Sequence, residues 1–318
     1  MSVSYVARSA ARPALVPRSR RGRRTRSLQA PGPVVAPAGV PGQRFGGRYR
    51  ADAQARTLAG AQLWQGTDEV LDRAVTIWAL PADRAVPVEV ITAILAAARL
   101  SDARIARIFD ADCAVHEPYV ISERAPGRCL EYSLADGLPD PWTAAAIALA
   151  AASALAAAHE AGRPHLCLTP RSLLWGHSGV KIIGLGLEAA LSGTSAADPA
   201  KTDARGAAGL LYALLTGYWP GAGVSRLPRA PTHNGMLCSP GQVRAGIPAV
   251  LDAITASALG AGPLRAGGGT GRRTGLRRRT GSIGPITTPG ELAFELRKVP
   301  RPDSFPEQAW HLTPQAPR

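Results

Sequence analysis

The hydrophobic pattern after residue 47 begins with short segments in which apolar and polar residues alternate. Alternation with a period of two is typical of strands that bury one face. One stretch among them, 88–101, has apolar residues at helical spacing. The predicted strands are 48–56, 62–68, 74–80, 106–111 and 119–124. We therefore predict a sheet with one inserted helix.

Beyond Pro141 the pattern becomes mostly helical. A long run rich in Ala and Leu predicts a buried helix at 142–161, and two short strands follow it at 172–174 and 180–182. Further helices are predicted at 203–216, 248–259 and 288–299. A sheet lobe followed by a helical lobe is an α+β architecture.

Two stretches and a tail lack any hydrophobic period. Residues 1–46 are rich in Arg, Pro and Gly, and residues 260–284 are rich in Gly and Arg. Such segments cannot bury enough apolar surface to offset chain entropy, which predicts a disordered arm and a disordered loop. The predicted folded domain is 47–299, with a small lobe at 47–124, a large lobe at 125–299 and a C-terminal tail at 300–318.

The net charge of +14 is concentrated in the two unpatterned stretches. Residues 1–51 contain 11 Arg and no acidic residue, and residues 260–284 contain 6 Arg and no acidic residue. The rest of the chain is therefore slightly acidic. The Arg clusters at 18–26 and 272–279 lack interleaved aromatic residues for base stacking. Solvated tails are the favoured interpretation, and contact with an anionic membrane surface or with nucleic acid stays open as the alternative.

Cysteine spacing and hydropathy exclude several classes. The four cysteines have no CxxC spacing, which argues against a zinc site and a disulfide framework and favours the reducing cytoplasm. The longest apolar run, 144–158, is shorter than the roughly 20 residues of a membrane span. We expect a cytoplasmic protein without a membrane helix.

A series of short motifs follows one another between residues 47 and 299. The segment Val75 to Trp78 resembles V-A-I-K, His165 to Pro170 resembles H-R-D-L-K-P, and Val180 to Gly186 resembles V-K-x-x-D-F-G. Together, in order and spacing, they resemble bacterial serine/threonine protein kinases. The resemblance implies a two-lobed kinase-like fold, with a small antiparallel β lobe that carries one helix and a larger α-helical lobe.

The resemblance also implies which positions would be catalytic. The residues at these positions differ in type from the catalytic residues of kinases. Kinases hold ATP with a glycine-rich loop and a lysine, hold magnesium with Asp and Asn, and orient the substrate hydroxyl with Asp. The glycine positions fall on Arg56, Leu58 and Ala61. The lysine and its glutamate partner fall on Trp78 and Ala93, the catalytic aspartate on Cys167, the asparagine on Ser172, and the aspartate of D-F-G on Gly184. We therefore predict a pseudokinase that is not an enzyme and that holds no nucleotide cofactor and no metal.

Other matched positions have structural roles in the family. The resemblance makes His165, Leu185 and Gly186 parts of the packed scaffold, and it makes Asp203 the anchor of the catalytic-loop backbone. A chain that retains the packing residues of the kinase fold but lacks its catalytic charged residues is predicted to be a regulatory or scaffold protein.

Alternatives remain at several residues. Trp78 is interpreted either as a plug of the nucleotide cleft or as a core aromatic. His165 and Cys167 could form a base and nucleophile, although a structural His165 is favoured. A noncanonical or residual kinase that binds ATP could use displaced acids such as Glu188 or Asp198.

Among known families the chain is similar to actinobacterial proteins related to the cytoplasmic pseudokinase domain of the lipid II flippase. That similarity implies a protein partner, either a serine/threonine kinase or a phosphothreonine-reading forkhead-associated domain, and a link to peptidoglycan synthesis. A phosphorylation switch is a further hypothesis. Its candidate threonines are Thr270, Thr274, Thr280, Thr287 and Thr288.

Overall fold

A computed structural model describes residues 40–83, 85–222, 225–260 and 283–300. Most of the predicted arm, nearly all of the Gly- and Arg-rich loop and almost the whole tail lie outside these residues, as do Thr270, Thr274 and Thr280. Within the described residues, the predicted α+β fold of two lobes is confirmed.

The small lobe is a six-stranded antiparallel sheet with one helix. Its elements are β1 (Arg44–Phe45), β2 (Tyr49–Leu58), β3 (Ala61–Asp68), β4 (Arg73–Ala79), α1 (Val88–Ala98), β5 (Ile108–Asp112) and β6 (Tyr119–Glu123). The strand order in the sheet is β1-β2-β3-β4-β6-β5. The folded chain begins earlier than residue 47, because the Phe45 side chain of β1 is buried against Tyr119.

Alternation along the strands gives the sheet two apolar faces. The outer face carries a buried cluster that includes Phe45, Trp64 and Ile77. The inner face carries Leu63 and Trp78 and packs against α1 and residues of the large lobe. Neighbouring residues therefore enter different clusters, as a period of two requires.

The large lobe is mainly helical and carries a three-stranded sheet at its boundary with the small lobe. Its first elements are β7 (Arg128–Cys129), α2 (Leu130–Asp136), α3 (Pro141–Glu160), β8 (Leu173–Gly176), β9 (Gly179–Ile182), α4 (Leu187–Ser192) and α5 (Pro199–Thr216). They are followed by β10 (Thr232–His233), β11 (Met236–Leu237), α6 (Pro240–Val243), α7 (Ala249–Leu259) and α8 (Pro289–Arg297).

The core of this lobe forms around α3 and α5, which pack against each other and against α8. Asp140 begins α3 because its carboxylate accepts hydrogen bonds from the backbone N–H groups of Trp142 and Thr143. By length and composition α3 could cross a membrane, but most of it is buried inside the protein. It is therefore the core helix of this lobe, which the run of alanines allows because small side chains let helices approach closely.

Candidate functional site

Trp78 occupies the inner face of β4, in the region between the two lobes. Its side chain is 1% exposed, and the indole Nε1 donates a hydrogen bond to the Ser122 hydroxyl on β6 at 3.1 Å. A Cβ atom added to Gly184 would lie 3.1 Å from the ring. The indole therefore fills the space between the sheet and Gly184, so it is both a core residue and an occupant of the interlobe cleft.

Two arginines join the β2–β3 hairpin to the large lobe. Arg56 on β2 donates a hydrogen bond from Nη1 to the Arg171 carbonyl at 2.8 Å. Arg171 in turn donates from Nη2 to the Thr57 carbonyl at 3.1 Å and forms an ion pair with the buried Glu131 at 3.5 Å. We name Arg56, Arg171 and Glu131 the arginine bridge. It ties the hairpin, which carries the predicted phosphate-binding positions, down onto the segment after His165.

Asp203 on α5 organises the segment that resembles the catalytic loop. Its buried carboxylate accepts hydrogen bonds from the backbone N–H groups of His165 and Leu166, both at 2.7 Å. His159, in the last turn of α3, lies 2.7 Å from the same carboxylate through Nε2. These bonds hold Leu166 at φ +64°, a left-handed conformation that is costly for a leucine.

His165 and Cys167 do not form a nucleophile and its base. The His165 ring is buried and its Nε2 lies 3.1 Å from the Ile183 carbonyl oxygen, to which it donates. Cys167 Sγ instead lies 3.8 Å from the Ser192 hydroxyl. Burial raises the pKa of the Cys167 thiol, which disfavours the thiolate that nucleophilic chemistry requires.

Glu188 is the acidic side chain that the fold brings next to the predicted metal positions. It is 9% exposed, and its Oε2 accepts a hydrogen bond from the Ser172 hydroxyl at 3.2 Å. A Cβ atom at Gly184 would lie 3.7 Å from that oxygen. The carboxylate thus lies where a side chain at residue 184 would extend, although it comes from the first turn of α4. Burial raises the pKa of this carboxyl.

Asp198, the other displaced acid, has a different role. It is exposed and begins α5, where its carboxylate accepts a hydrogen bond from the Lys201 N–H at 2.9 Å. In this structure Asp198 therefore acts as the N-terminal cap of α5.

The remaining predicted positions surround the same region. Leu58, Ala61 and Leu185 are buried in the core, and Gly186 begins α4 at φ +68°. Ala93 on α1 faces Gly186, where a Cβ atom would lie 3.9 Å from the alanine methyl. Among the described residues, no group of three or more His, Cys, Asp or Glu side chains is placed to hold a metal ion.

A cavity of about 890 Å³ opens below the hairpin. Leu58 and Ala59 line it from the small lobe, and Cys167, Glu188 and Trp219 line it from the large lobe. The sequence missed the residues that close the cleft, Ser122, Arg171 and Glu131. Their roles depend on contacts between segments tens of residues apart, so a local pattern gives no signal for them.

Comparison with curated proteins finds one kind of relative, a kinase of two mycobacterial species. The chain is 27% identical over 245 residues to serine/threonine-protein kinase PknL of Mycobacterium bovis, which covers 68% of this chain and 61% of the relative. It is 26% identical to PknL of Mycobacterium tuberculosis, with the same coverage. The chain thus spans about three fifths of the length of the curated relatives it matches. No model of a known protein family matches it.

Solved structures give the same class of fold. The PknI kinase domain of M. tuberculosis superposes with a TM-score of 0.55 and 16% identity, over 81% of this chain and 98% of the domain. A mutant of the domain superposes with a TM-score of 0.57 at the same identity and coverage. The chain has a two-lobed, protein-kinase-like fold.

The prediction that the chain is not an enzyme is wrong. That prediction depends on the residue types at the positions that the kinase resemblance makes catalytic. The curated relatives are named serine/threonine-protein kinases, and the similar structures are kinase domains.

Proposed function

We propose that the chain is a regulatory protein with a kinase-like fold, which works through a protein partner while its own side chains close the part of the interlobe cleft under the sheet and leave the cavity below the hairpin open. The observation that carries this proposal is the arginine bridge together with Trp78. The bridge crosses from the hairpin to the large lobe through two backbone carbonyls, and the indole fills the space behind it.

The closed cleft opposes nucleotide entry in this state. ATP needs backbone amides close to its phosphates and space under the sheet for its base. Arg56 occupies the first glycine position that the resemblance assigns, and its guanidinium binds the large lobe. Asp203, which matches the residue that anchors the catalytic loop in kinases, holds the loop after α3 in one conformation. A rigid, closed body suits a protein that presents a fixed surface to a partner.

The location proposed for this function is the cytoplasm. All four cysteines are free thiols rather than disulfides. Cys167 lies near the Ser192 hydroxyl, and Cys129 lies near the Arg171 carbonyl. Reduced cysteines fit the reducing cytoplasm. The predicted partners, a serine/threonine kinase or a phosphothreonine-reading forkhead-associated domain, and the predicted link to peptidoglycan synthesis stay predictions.

Hydrogen–deuterium exchange of the full chain, with and without ATP and magnesium, tests the closed cleft. Exchange reports local opening, which is slow in segments held by buried hydrogen bonds. We expect the β2–β3 hairpin and residues 165–172 to exchange at the same rate in both conditions. Slower exchange in both segments with ATP and magnesium would overturn the proposal, because it would place nucleotide between the lobes.

A second candidate function is phosphoryl transfer by a rearranged site, and the position of Glu188 favours it. Its carboxylate is next to Ser172 and fills the place of a side chain at residue 184, where kinases hold magnesium. This reaction would require the hairpin to open.

Transfer of labelled phosphate from ATP to the chain or to a general protein substrate tests this second candidate function, with Glu188→Gln and the cap variant Asp198→Asn as a matched pair. Activity lost in Glu188→Gln and kept in Asp198→Asn supports this candidate, and no transfer by the wild type removes it.

A further inference from the structure

Helix α1 exposes an apolar face that no described part of the chain covers. Only Val90 and Ile94 of this helix are buried. Val88, Ile91 and Leu95 are 67%, 37% and 59% exposed. Helices that are apolar all round are normally buried, and large aliphatic side chains that are exposed together mark interaction sites.

The residues on this side form two neighbouring stripes along the helix, in which all but the half-buried Ala96 are exposed. Val88, Ile91, Leu95 and Ala98 recur at the spacing that places residues on one face. The second stripe runs beside the first through Glu89, Thr92, Ala96 and Arg99, at the same spacing. Its two charged ends carry opposite signs. Among the described residues, neither the Glu89 carboxylate nor the Arg99 guanidinium has a hydrogen bond or an ion pair.

Both stripes are symmetric about the middle of the helix. Ile91 and Leu95 lie equally far from residue 93, and Glu89 and Arg99 lie equally far from residue 94. A two-fold axis between residues 93 and 94 would bring each residue to within about 1.5 Å, the rise of one residue, of the level of its counterpart in an antiparallel copy of the same helix. Ile91 of each copy then contacts Leu95 of the other, and Glu89 of each copy contacts Arg99 of the other. The symmetry generates each contact twice per dimer. Isologous contacts of this kind are how homodimers usually form.

We propose that α1 is a self-association surface, on which the α1 helix of a second copy of this chain packs antiparallel. Charge complementarity selects this occupant, because Glu89 and Arg99 satisfy each other only when the helices run in opposite directions. A groove of about 420 Å³ between α1 and α4, which Val88 also lines, adds apolar surface beside the contact. An eleven-residue helix offers less than the roughly 800 Å² per partner of a standard interface, so the dimer is weak and depends on concentration.

Sedimentation velocity of the full chain over a wide concentration range tests this surface. We expect the wild type to be a monomer that dimerises reversibly. Leu95→Glu should weaken dimerisation about tenfold or more, since it places two carboxylates in an apolar contact. The control Met236→Glu changes another exposed apolar residue, on β11, and should dimerise as the wild type does.

Charge reversal then tests the antiparallel geometry. Glu89→Arg places two arginines opposite each other at both ends, and Arg99→Glu places two carboxylates there, so each variant alone should associate more weakly than the wild type. An equimolar mixture of the two should form heterodimers, because every facing pair is then of opposite sign. Recovery in the mixture also shows that neither variant is misfolded. A wild type that stays monomeric, a Leu95→Glu variant that dimerises normally, or a mixture that stays monomeric would each overturn the proposal.

Discussion

At the residue scale, much of the fold depends on a few buried polar groups. Asp203 is fully buried and binds three donors, from His159, His165 and Leu166. Removal of such an acceptor leaves buried N–H groups without a partner, which costs more than the hydrogen bonds themselves contribute. The residue therefore determines the conformation of the whole loop after α3.

Asp203→Ala should lower the free energy of unfolding by about 3 kcal/mol, because two backbone donors and one histidine lose their acceptor inside the protein. Urea unfolding of the full chain measures this. The control Asp203→Asn keeps the shape and one acceptor oxygen, so it should lose less. Equal, small losses in both variants would show that the loop does not depend on this carboxylate.

Glu188 gives a pH dependence with a definite sign. Burial raises the pKa of its carboxyl in the folded state, so the folded protein prefers the protonated acid. Its favourable contribution to stability is present below the unfolded pKa of about 4.3 and is lost as the pH rises through the folded pKa. Near neutral pH the ionised carboxylate is therefore a cost, which His165, Arg171 and Arg56 only partly offset.

Glu188→Gln should consequently raise the free energy of unfolding at pH 7, and its advantage should shrink as the pH falls toward 4. Glutamine keeps an acceptor for the Ser172 hydroxyl. Chemical unfolding of wild type and variant across this pH range measures the difference. A destabilised variant at pH 7 would mean that the carboxylate is better satisfied in the fold than its burial indicates.

At the element scale, the strands were predictable, including the short ones at 172–174 and 180–182 that correspond to β8 and β9, whereas the short helix α4 was not. The predicted strands at 62–68 and 74–80 fall within a residue of β3 and β4, and the helix at 88–101 ends three residues later than α1. In contrast α4 is only six residues long, too short for a helical period, yet it delivers Glu188 to the cleft. The hairpin β2–β3 was predicted as strands, but its attachment to the large lobe was not.

The hairpin is held down by contacts that can be removed one at a time. Arg56→Ala deletes the hydrogen bond to the Arg171 carbonyl, and we expect the hairpin to lift more often as a result. Cys167 lines the cavity below it, so its alkylation should become faster. Site-resolved mass spectrometry after brief treatment with a thiol reagent measures this, and Cys238 on the large lobe provides the internal control. An unchanged rate at Cys167 would mean that the bridge does not limit access.

At the scale of the whole molecule, the two-lobed fold followed from the order of the elements and motifs. The sequence placed a sheet lobe before a helical lobe, and the described residues confirm this arrangement. The sequence could not show how the lobes meet, because the contacts of Trp78 with Ser122 and of Arg56 with Arg171 join segments 44 and 115 residues apart. Most of the Arg clusters that carry the net charge lie outside the described residues.

Thermal unfolding of the full chain, titrated with ATP in the presence and absence of magnesium, tests the closed cleft most directly. A ligand that binds only the folded state raises its stability in proportion to RT ln(1 + [L]/Kd). Because Trp78 fills the space under the sheet and the arginine bridge holds the hairpin on the large lobe, we expect the same Tm for the wild type at every nucleotide concentration. A rise in Tm that requires magnesium and disappears in Glu188→Gln would contradict it and would favour the rearranged phosphoryl-transfer site.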